Sequence, residues 1–303
     1  MTPTKRIAVT GSLVVMAIVM LWKINAKFYH SNYNKDGKYV RRLAALEIVR
    51  PQIYTFYSPL VRALDTPREQ KTRKADKELL EAWKAAWYDA GWDPKVISLD
   101  EAKRNPNYAT FVAGLHQIKL YGNGGRNQEY NEYCFLRFLA MASVGGGTMA
   151  DYDLFPLGKR TELQSTTPDR FTVYQQTLNK AGPVPALCSG TKNEWDRIGQ
   201  AILGIAMSQP ANDGWSDMMA LMRLYKTQPD SIVLLDQVLG SNEFSQASTA
   251  HEQCRLASQK RSWGVHFSHY DVLQSGHRVF DRPLLAKEFV ANWNRVCLEQ
   301  QSQ

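Results

Sequence analysis

"SVGGGTMADYDLFPL", residues 143–157, sets three consecutive glycines before an Asp-Tyr-Asp triplet and closes on an apolar run broken by Pro156. The run before it, "YCFLRFLAMASV" (133–144), is apolar apart from Arg137 and reads as a helix that the glycines end. "TMA" (148–150) then reads as a short extended segment with Asp151, Tyr152 and Asp153 at its C-terminal end. Ligands of open α/β sheets bind outside the carboxyl ends of strands, so chemistry is expected here. Two carboxylates two residues apart, Asp151 and Asp153, can address one cation, one directly and the other through a water or a ribose hydroxyl. Oxygen donors of this kind suit Mn²⁺ or Mg²⁺. The glycines let the backbone approach a ligand closely. "LFPL" (154–157) reads as a buried element that fixes the aspartates from behind. The competing reading of Asp-x-Asp is an ordinary surface turn.

Upstream, "QIYTFY" (52–57) lies between Pro51 and Ser58-Pro59 and reads as a first strand. Leu79, Leu80, Trp83, Ala86 and Trp87 recur at helical spacing, with Gly91 placed for a C-terminal cap. "KVISLD" (95–100) reads as a second strand. Strand, helix and strand in this order predict a parallel sheet. Residues 122–132 read as a loop; no G-K-[ST] follows them, so this is not a Walker-type phosphate loop.

Downstream, residues 170–174 and 183–189 read as strands, and 193–208 as an amphipathic helix capped by Asn193. Residues 214–225 and 231–240 read as helices, "SWGVHFSHYDV" (262–272) as a strand carrying His266 and His269, and 284–300 as a last helix.

With 44% hydrophobic and 22% charged residues in 303, a packed globular domain is expected rather than disorder. The net charge of +8 admits nucleic acid, an anionic membrane surface or an anionic small substrate as partner. The basic residues are dispersed, and no zinc finger, RNP signature or basic helix is present, so nucleic acid is set aside. Eight Trp and fourteen Tyr are many, and such rings serve either the core or a sugar-holding cleft. None of the four cysteines is spaced C-x-x-C, which argues against structural zinc and leaves three possible disulfide pairings in an oxidising compartment.

Near the N-terminus, "IAVTGSLVVMAIVMLW" (7–22) carries no charge, and with Lys23 snorkelling and Ile24 added it spans a thin membrane. "INA" (24–26) is a poor cleavage site, so an uncleaved signal anchor is expected. The expected organisation is a tail over 1–6, a transmembrane helix over 7–24, a stem over 25–48 and a catalytic domain over 49–303. Flanking lysines and arginines balance across the span and do not orient it.

"LRFLAMASVGGGTMADYDLFPL" (136–157) resembles the glycosyltransferase group with a DXD-containing sugar-binding region, which includes α-mannosyltransferase-like Golgi enzymes. Arg137 matches that group's helix arginine, Gly146-Gly147 its glycine pair, and Asp151 and Asp153 its acids. Cys134 stands where the group usually has an Asp, and the spacing from Arg137 to the aspartates is one residue longer than usual. The resemblance implies a GT-A-type, Rossmann-like nucleotide-sugar-binding α/β fold with a mixed central sheet. It also implies a divalent metal, a nucleotide-sugar donor, a glycan or glycoconjugate acceptor, retention at the anomeric carbon and a type II anchor with the domain in the Golgi or ER lumen. His266 best matches the late histidine that completes the metal shell in this group, with His269 second. On this reading Arg137 and the metal stabilise the departing nucleoside diphosphate. Tyr54 and Phe56 on the first strand are candidate nucleoside contacts, and Asp213 and Asp217 candidate acceptor-side groups. A non-catalytic carbohydrate-binding or scaffold protein on the same fold, and another metal-dependent phosphoryl-group enzyme, are the alternatives.

Overall fold

The computed structural model describes residues 50–60, 66–122, 125–158, 170–177, 182–208, 214–247 and 249–298. The expected anchor over 7–24, the stem over 25–48 and Asp213 lie outside the described residues. Among the described residues no helix is long and apolar enough to cross a membrane.

The chain opens with the expected strand–helix–strand unit. β1 (Gln52–Phe56) leads into α1 (Pro67–Asp89), which starts at Thr66, whose hydroxyl accepts from the Glu69 amide, and at Pro67 in the first turn. Gly91, at φ +99°, turns the chain after α1 into β2 (Asp93–Ile97), which pairs with β1 in parallel. This second strand ends earlier than the sequence suggests, because Ser98 and Glu101 form a capping box that starts α2 (Leu99–Lys103). α3 (Tyr108–Leu115) and α4 (Gly125–Ser143) follow. The polar run read as a loop over 122–132 is therefore largely the start of α4. Asn131, 6% exposed, donates to the Tyr121 carbonyl and ties this first part of the helix to the preceding chain.

β3 (Gly146–Ala150) pairs with β1 in parallel, and β4 (Leu154–Pro156) is the expected apolar segment. β5 (Thr172–Gln176) and β6 (Pro183–Thr191) come next, and β6 pairs with both β3 and β5 in antiparallel fashion. Thr191, not Asn193, caps α5 (Lys192–Ser208): its hydroxyl accepts from the Glu194 amide. α6 (Asp217–Thr227) starts at Ser216. The segment read as a helix over 231–240 is instead β7 (Val233–Leu234) and β8 (Val238–Gly240). Two different sheets offer it ladder partners, and tertiary pairing overrides a helical pattern of this length. α7 (Ser241–Ser245) and α8 (Ala250–Gln259) lead to β9 (Gly264–His266). β9 is shorter than expected because Ser268 caps α9 (His269–Gln274). α10 (Arg282–Trp293) continues into a π-turn over Asn294–Leu298.

The result is a mixed α/β fold. A six-stranded sheet runs β2-β1-β3-β6-β5-β7, and a three-stranded sheet runs β4-β9-β8. Alternating side chains of the large sheet feed two cores. Tyr54 and Met149 face one core with Phe135, Phe138 and Trp195; Ile53 and Ala150 face the other with Trp83, Trp87 and Phe155. All seven described tryptophans are buried, so the tryptophan content serves the cores rather than a sugar cleft. Cys254 and Cys297 form a disulfide that ties α8 to the C-terminal turn, while Cys134 and Cys188 are free thiols.

Candidate active site

The Asp-Tyr-Asp triplet lies where the chain leaves the large sheet for the small one. The Asp151 amide donates to the Ala186 carbonyl, the last tie to β6, and the Asp151 carbonyl accepts from Leu154, closing a tight turn. The Asp153 carbonyl then accepts from the Phe267 amide, prolonging the β4–β9 ladder, in which Leu154 stands opposite His266. Backbone pairing alone thus brings a residue from late in the chain to the side of Asp153.

Asp151, Asp153 and His266 each present a ligand atom within 4.8 Å of the others. Asp153 Oδ1 lies 3.2 Å from His266 Nε2. On the far side of that ring, Nδ1 is 2.9 Å from Gln175 Oε1. An amide oxygen only accepts, so Nδ1 carries a hydrogen, and Nε2 is the nitrogen that faces Asp153, able to act as a metal ligand once it gives up its own proton. Each aspartate has its own buried arginine. Arg137 Nη1 donates to Asp151 Oδ1 at 2.6 Å, and Nη2 donates to Asp217. Arg282 Nη1 donates to Asp153 Oδ2 at 2.7 Å, and Nη2 donates to Asp76 Oδ1 at 2.8 Å.

The charges bear the mark of crowding. Burial pushes the Asp151 carboxyl up to about 6, with Asp153 adding to the push and Arg137 opposing it. Burial would also raise Asp153, but His266 and Arg282 outweigh it and hold that carboxyl down at about 2. Burial would lower the His266 imidazole; Asp153 beside it raises it instead. Two carboxylates and an imidazole converging in this way are relieved by a cation, and oxygen and imidazole donors together match Mn²⁺ better than Mg²⁺. The residues present fit a divalent metal.

The cluster forms part of the wall of a cavity of about 910 Å³. Among the described residues that line it, eight carboxylates outnumber four arginine and lysine side chains. Tyr57, Tyr121, Tyr130, Tyr152 and Tyr270 line it too, so tyrosines rather than tryptophans supply its aromatic surface.

Several expected site residues have other places. Tyr54 is 9% exposed, packs in the first core and gives its hydroxyl to Gln52, away from the cavity; Phe56 does line it. Gly146 and Gly147 sit at the start of β3, at the opposite end from the aspartates, and do not line the cavity. A Cβ on Gly146 would meet the Lys192 backbone nitrogen at 2.5 Å, so this glycine admits the β6–α5 junction rather than a ligand. Asp217 is 4% exposed, is bonded to Arg137 and lines the cavity. Both terminal nitrogens of Arg137 are engaged, one by Asp151 and one by Asp217, and the side chain lines the cavity. His269 is exposed at the start of α9, outside the three-residue cluster. Cys134 lines the cavity, and burial raises its thiol far above the ordinary range, with Asp217 adding to the rise, so it stays protonated.

Asp76, Gln175 and Arg282 are the residues that the sequence reading missed. Arg282 alone left a trace. It opens a helix, where the macrodipole disfavours a cation, and such a placement asks for a tertiary anion.

A family profile described as "Domain of unknown function (DUF8765)" matches residues 38–260, and the chain belongs to this family. No curated protein sequence matches the chain significantly. Structural neighbours are glycosyltransferases. One is a glycosyltransferase involved in the glycosylation of the major capsid of PBCV-1, with 11% identity and a TM-score of 0.41, covering 79% of this chain and 99% of that one. Another is mouse xyloside xylosyltransferase 1 in its apo form, with 11% identity and a TM-score of 0.38, covering 72% and 97%. At these scores neither likeness bears on the chemistry.

Proposed function

We propose that this DUF8765 protein is a metal-dependent glycosyltransferase that moves a sugar from a nucleotide-sugar donor to a glycan or glycoconjugate. The observation that carries the reading is the convergence of Asp151, Asp153 and His266 on one wall of a large cavity, at the end of β3. Asp153 and His266 would hold the metal and Asp151 would complete the set. When bound, the metal supplies charge neutralisation for a nucleoside diphosphate leaving group.

The protein's own residues account for why a cation is needed. A cavity with an excess of carboxylates repels a diphosphate unless a cation intervenes. Arg137 and Arg282 hold the two aspartates and have no terminal nitrogen left over for a phosphate. Gln175 fixes the His266 tautomer, as the distal partner of a metal-binding histidine does. Phe56 and the cavity's tyrosines offer ring faces to a nucleobase and to sugars.

The finer reading is a retaining enzyme of the α-mannosyltransferase-like group. Residues 7–24 would anchor it as a type II protein with its domain in the Golgi or ER lumen. The Cys254–Cys297 disulfide suits that oxidising side of the membrane. Its test is carbonate extraction with protease protection: a protein released by carbonate would remove the anchor from the proposal.

The activity is tested by Mn²⁺-dependent hydrolysis and nucleotide binding across UDP- and GDP-linked hexoses, with Asp153→Ala as the comparison. Turnover of at least one donor, lost on chelation and in Asp153→Ala, is expected. Mn²⁺-dependent nucleotide binding with no turnover of any donor or acceptor would move the protein to the non-catalytic carbohydrate-binding reading. Absence of both would overturn the proposal.

A further inference from the structure

We propose that Arg282 and Asp76 form a positioning relay that fixes which oxygen of Asp153 faces the metal. The inference rests on the reading that Asp151, Asp153 and His266 hold a divalent cation.

Arg282 is 1% exposed, which is rare for an arginine and requires that every part of the guanidinium be satisfied. Each of its three nitrogens donates: Nη1 to Asp153 Oδ2, Nη2 to Asp76 Oδ1, and Nε to the Val279 carbonyl at 3.2 Å. The planar group therefore cannot rotate without breaking a buried bond. Because it occupies Oδ2, Asp153 is left with Oδ1, the oxygen that already faces His266. The carboxylate is thereby limited to one metal-facing oxygen.

Asp76 acts through Arg282 by anchoring the far edge of the guanidinium. The relay also joins distant parts of the chain, since Asp76 lies on α1, Asp153 on the turn before β4, and Arg282 at the start of α10. A lysine at 282 would keep the charge but lose the fork that bridges two carboxylates.

The test is a Mn²⁺ titration of the full-length protein followed by electron paramagnetic resonance, which reads binding without reference to activity. Arg282→Lys is expected to weaken Mn²⁺ affinity about tenfold to hundredfold, the range seen for outer partners of metal ligands. Asp76→Asn is expected to weaken it by a smaller factor. Glu78→Gln removes an exposed carboxylate from the same helix, two positions from Asp76, and is expected to leave affinity unchanged. Near-ultraviolet circular dichroism and the binding stoichiometry report the folded fraction of each variant. The relay is overturned if Arg282→Lys and Asp76→Asn bind Mn²⁺ as the wild type does, whatever their melting temperatures. It is also overturned if Glu78→Gln weakens binding as much as Asp76→Asn, since the effect would then be net charge alone. A wild type that binds no Mn²⁺ would instead remove the metal reading on which the relay depends.

Discussion

Asp151 and Asp153 are two residues apart, yet they are held from different parts of the molecule. Asp151 is held by Arg137, fourteen residues upstream on the helix that precedes β3. Asp153 is held by His266 on the small sheet and by Arg282, which lies 129 residues downstream. The two clamps also differ in how well they are closed. The Asp151 side chain keeps 28% of its surface exposed, and Arg137 Nε is buried without a hydrogen-bond partner. The side chains of Asp153 and Asp76 are 12% and 13% exposed, and every nitrogen of Arg282 is bonded. One aspartate is held by its neighbourhood in sequence; the other depends on the C-terminal segment having docked.

The sharpest way to break this comparison is to remove each arginine. Arg282→Met removes the cation shared by two buried carboxylates, and breaking a buried ion pair costs about 3–5 kcal/mol. Arg137→Met strands Asp217 similarly, but Asp151 has cavity access and can hydrate, so its loss should be the smaller of the two. Urea denaturation of both variants checks the order. Equal or reversed losses would mean that the two clamps are energetically alike.

A second test concerns the glycines at the far end of β3 from Asp151. Gly146→Ala must adopt φ +85° and set a Cβ 2.5 Å from backbone, whereas Gly147→Ala at φ +114° meets only the edge of the Tyr54 ring at 3.4 Å. Backbone strain of this kind costs about 1–3 kcal/mol. Gly146→Ala should fall at or above the top of that range and Gly147→Ala within it, by thermal denaturation. Mn²⁺ affinity of the folded fraction should be unchanged in both. A specific loss of affinity would return the glycines to the ligand site.

The smallest expected effect is on pH dependence at the Asp153 side. His266 in the metal-free fold is raised above its ordinary value, with Asp153, Asp151 and Asp271 facing it as anions. The unfolded value is about 6.5. The stability contributed by this pair is therefore fully present below about pH 6.5 and is lost as pH rises through the higher folded value. Metal binding has the opposite dependence, because the imidazole must give up its proton to become a ligand. Mn²⁺ affinity should rise with pH through that window while metal-free stability declines. Calorimetric titrations at several pH values would show the two trends. A Mn²⁺ affinity that is flat across the window would count against His266 as a ligand.

The same division explains what could be read from the sequence. Local signals gave β1, α1, β2, the end of α4, β3 and the aspartate pair, because helical spacing, glycine stops and strand composition act over a few residues. Arg137 stood out as the one charge on an apolar helix. His266 was reached through a resemblance and then placed by the β4–β9 pairing. The small sheet was not legible as a sheet: "SIVLLDQVLG" has helical spacing, and only partners elsewhere make it β7 and β8. Asp76, Gln175 and Arg282 carry no pattern of their own, since their role exists only once α1, β5 and α10 meet at the turn. The glycines end α4 as read, with Gly145 at φ +100° just after it, whereas the crowding at Gly146 comes from residues 190–192, far away in sequence.

The central claim is that Asp151, Asp153 and His266 bind one metal ion. Pulsed electron paramagnetic resonance of the Mn²⁺-loaded protein tests it most directly, because a bound imidazole gives a nitrogen modulation. The account predicts that this modulation is present in the wild type, retained in His269→Gln and lost in His266→Gln. Its persistence in His266→Gln, or its loss in His269→Gln alone, would contradict the assignment.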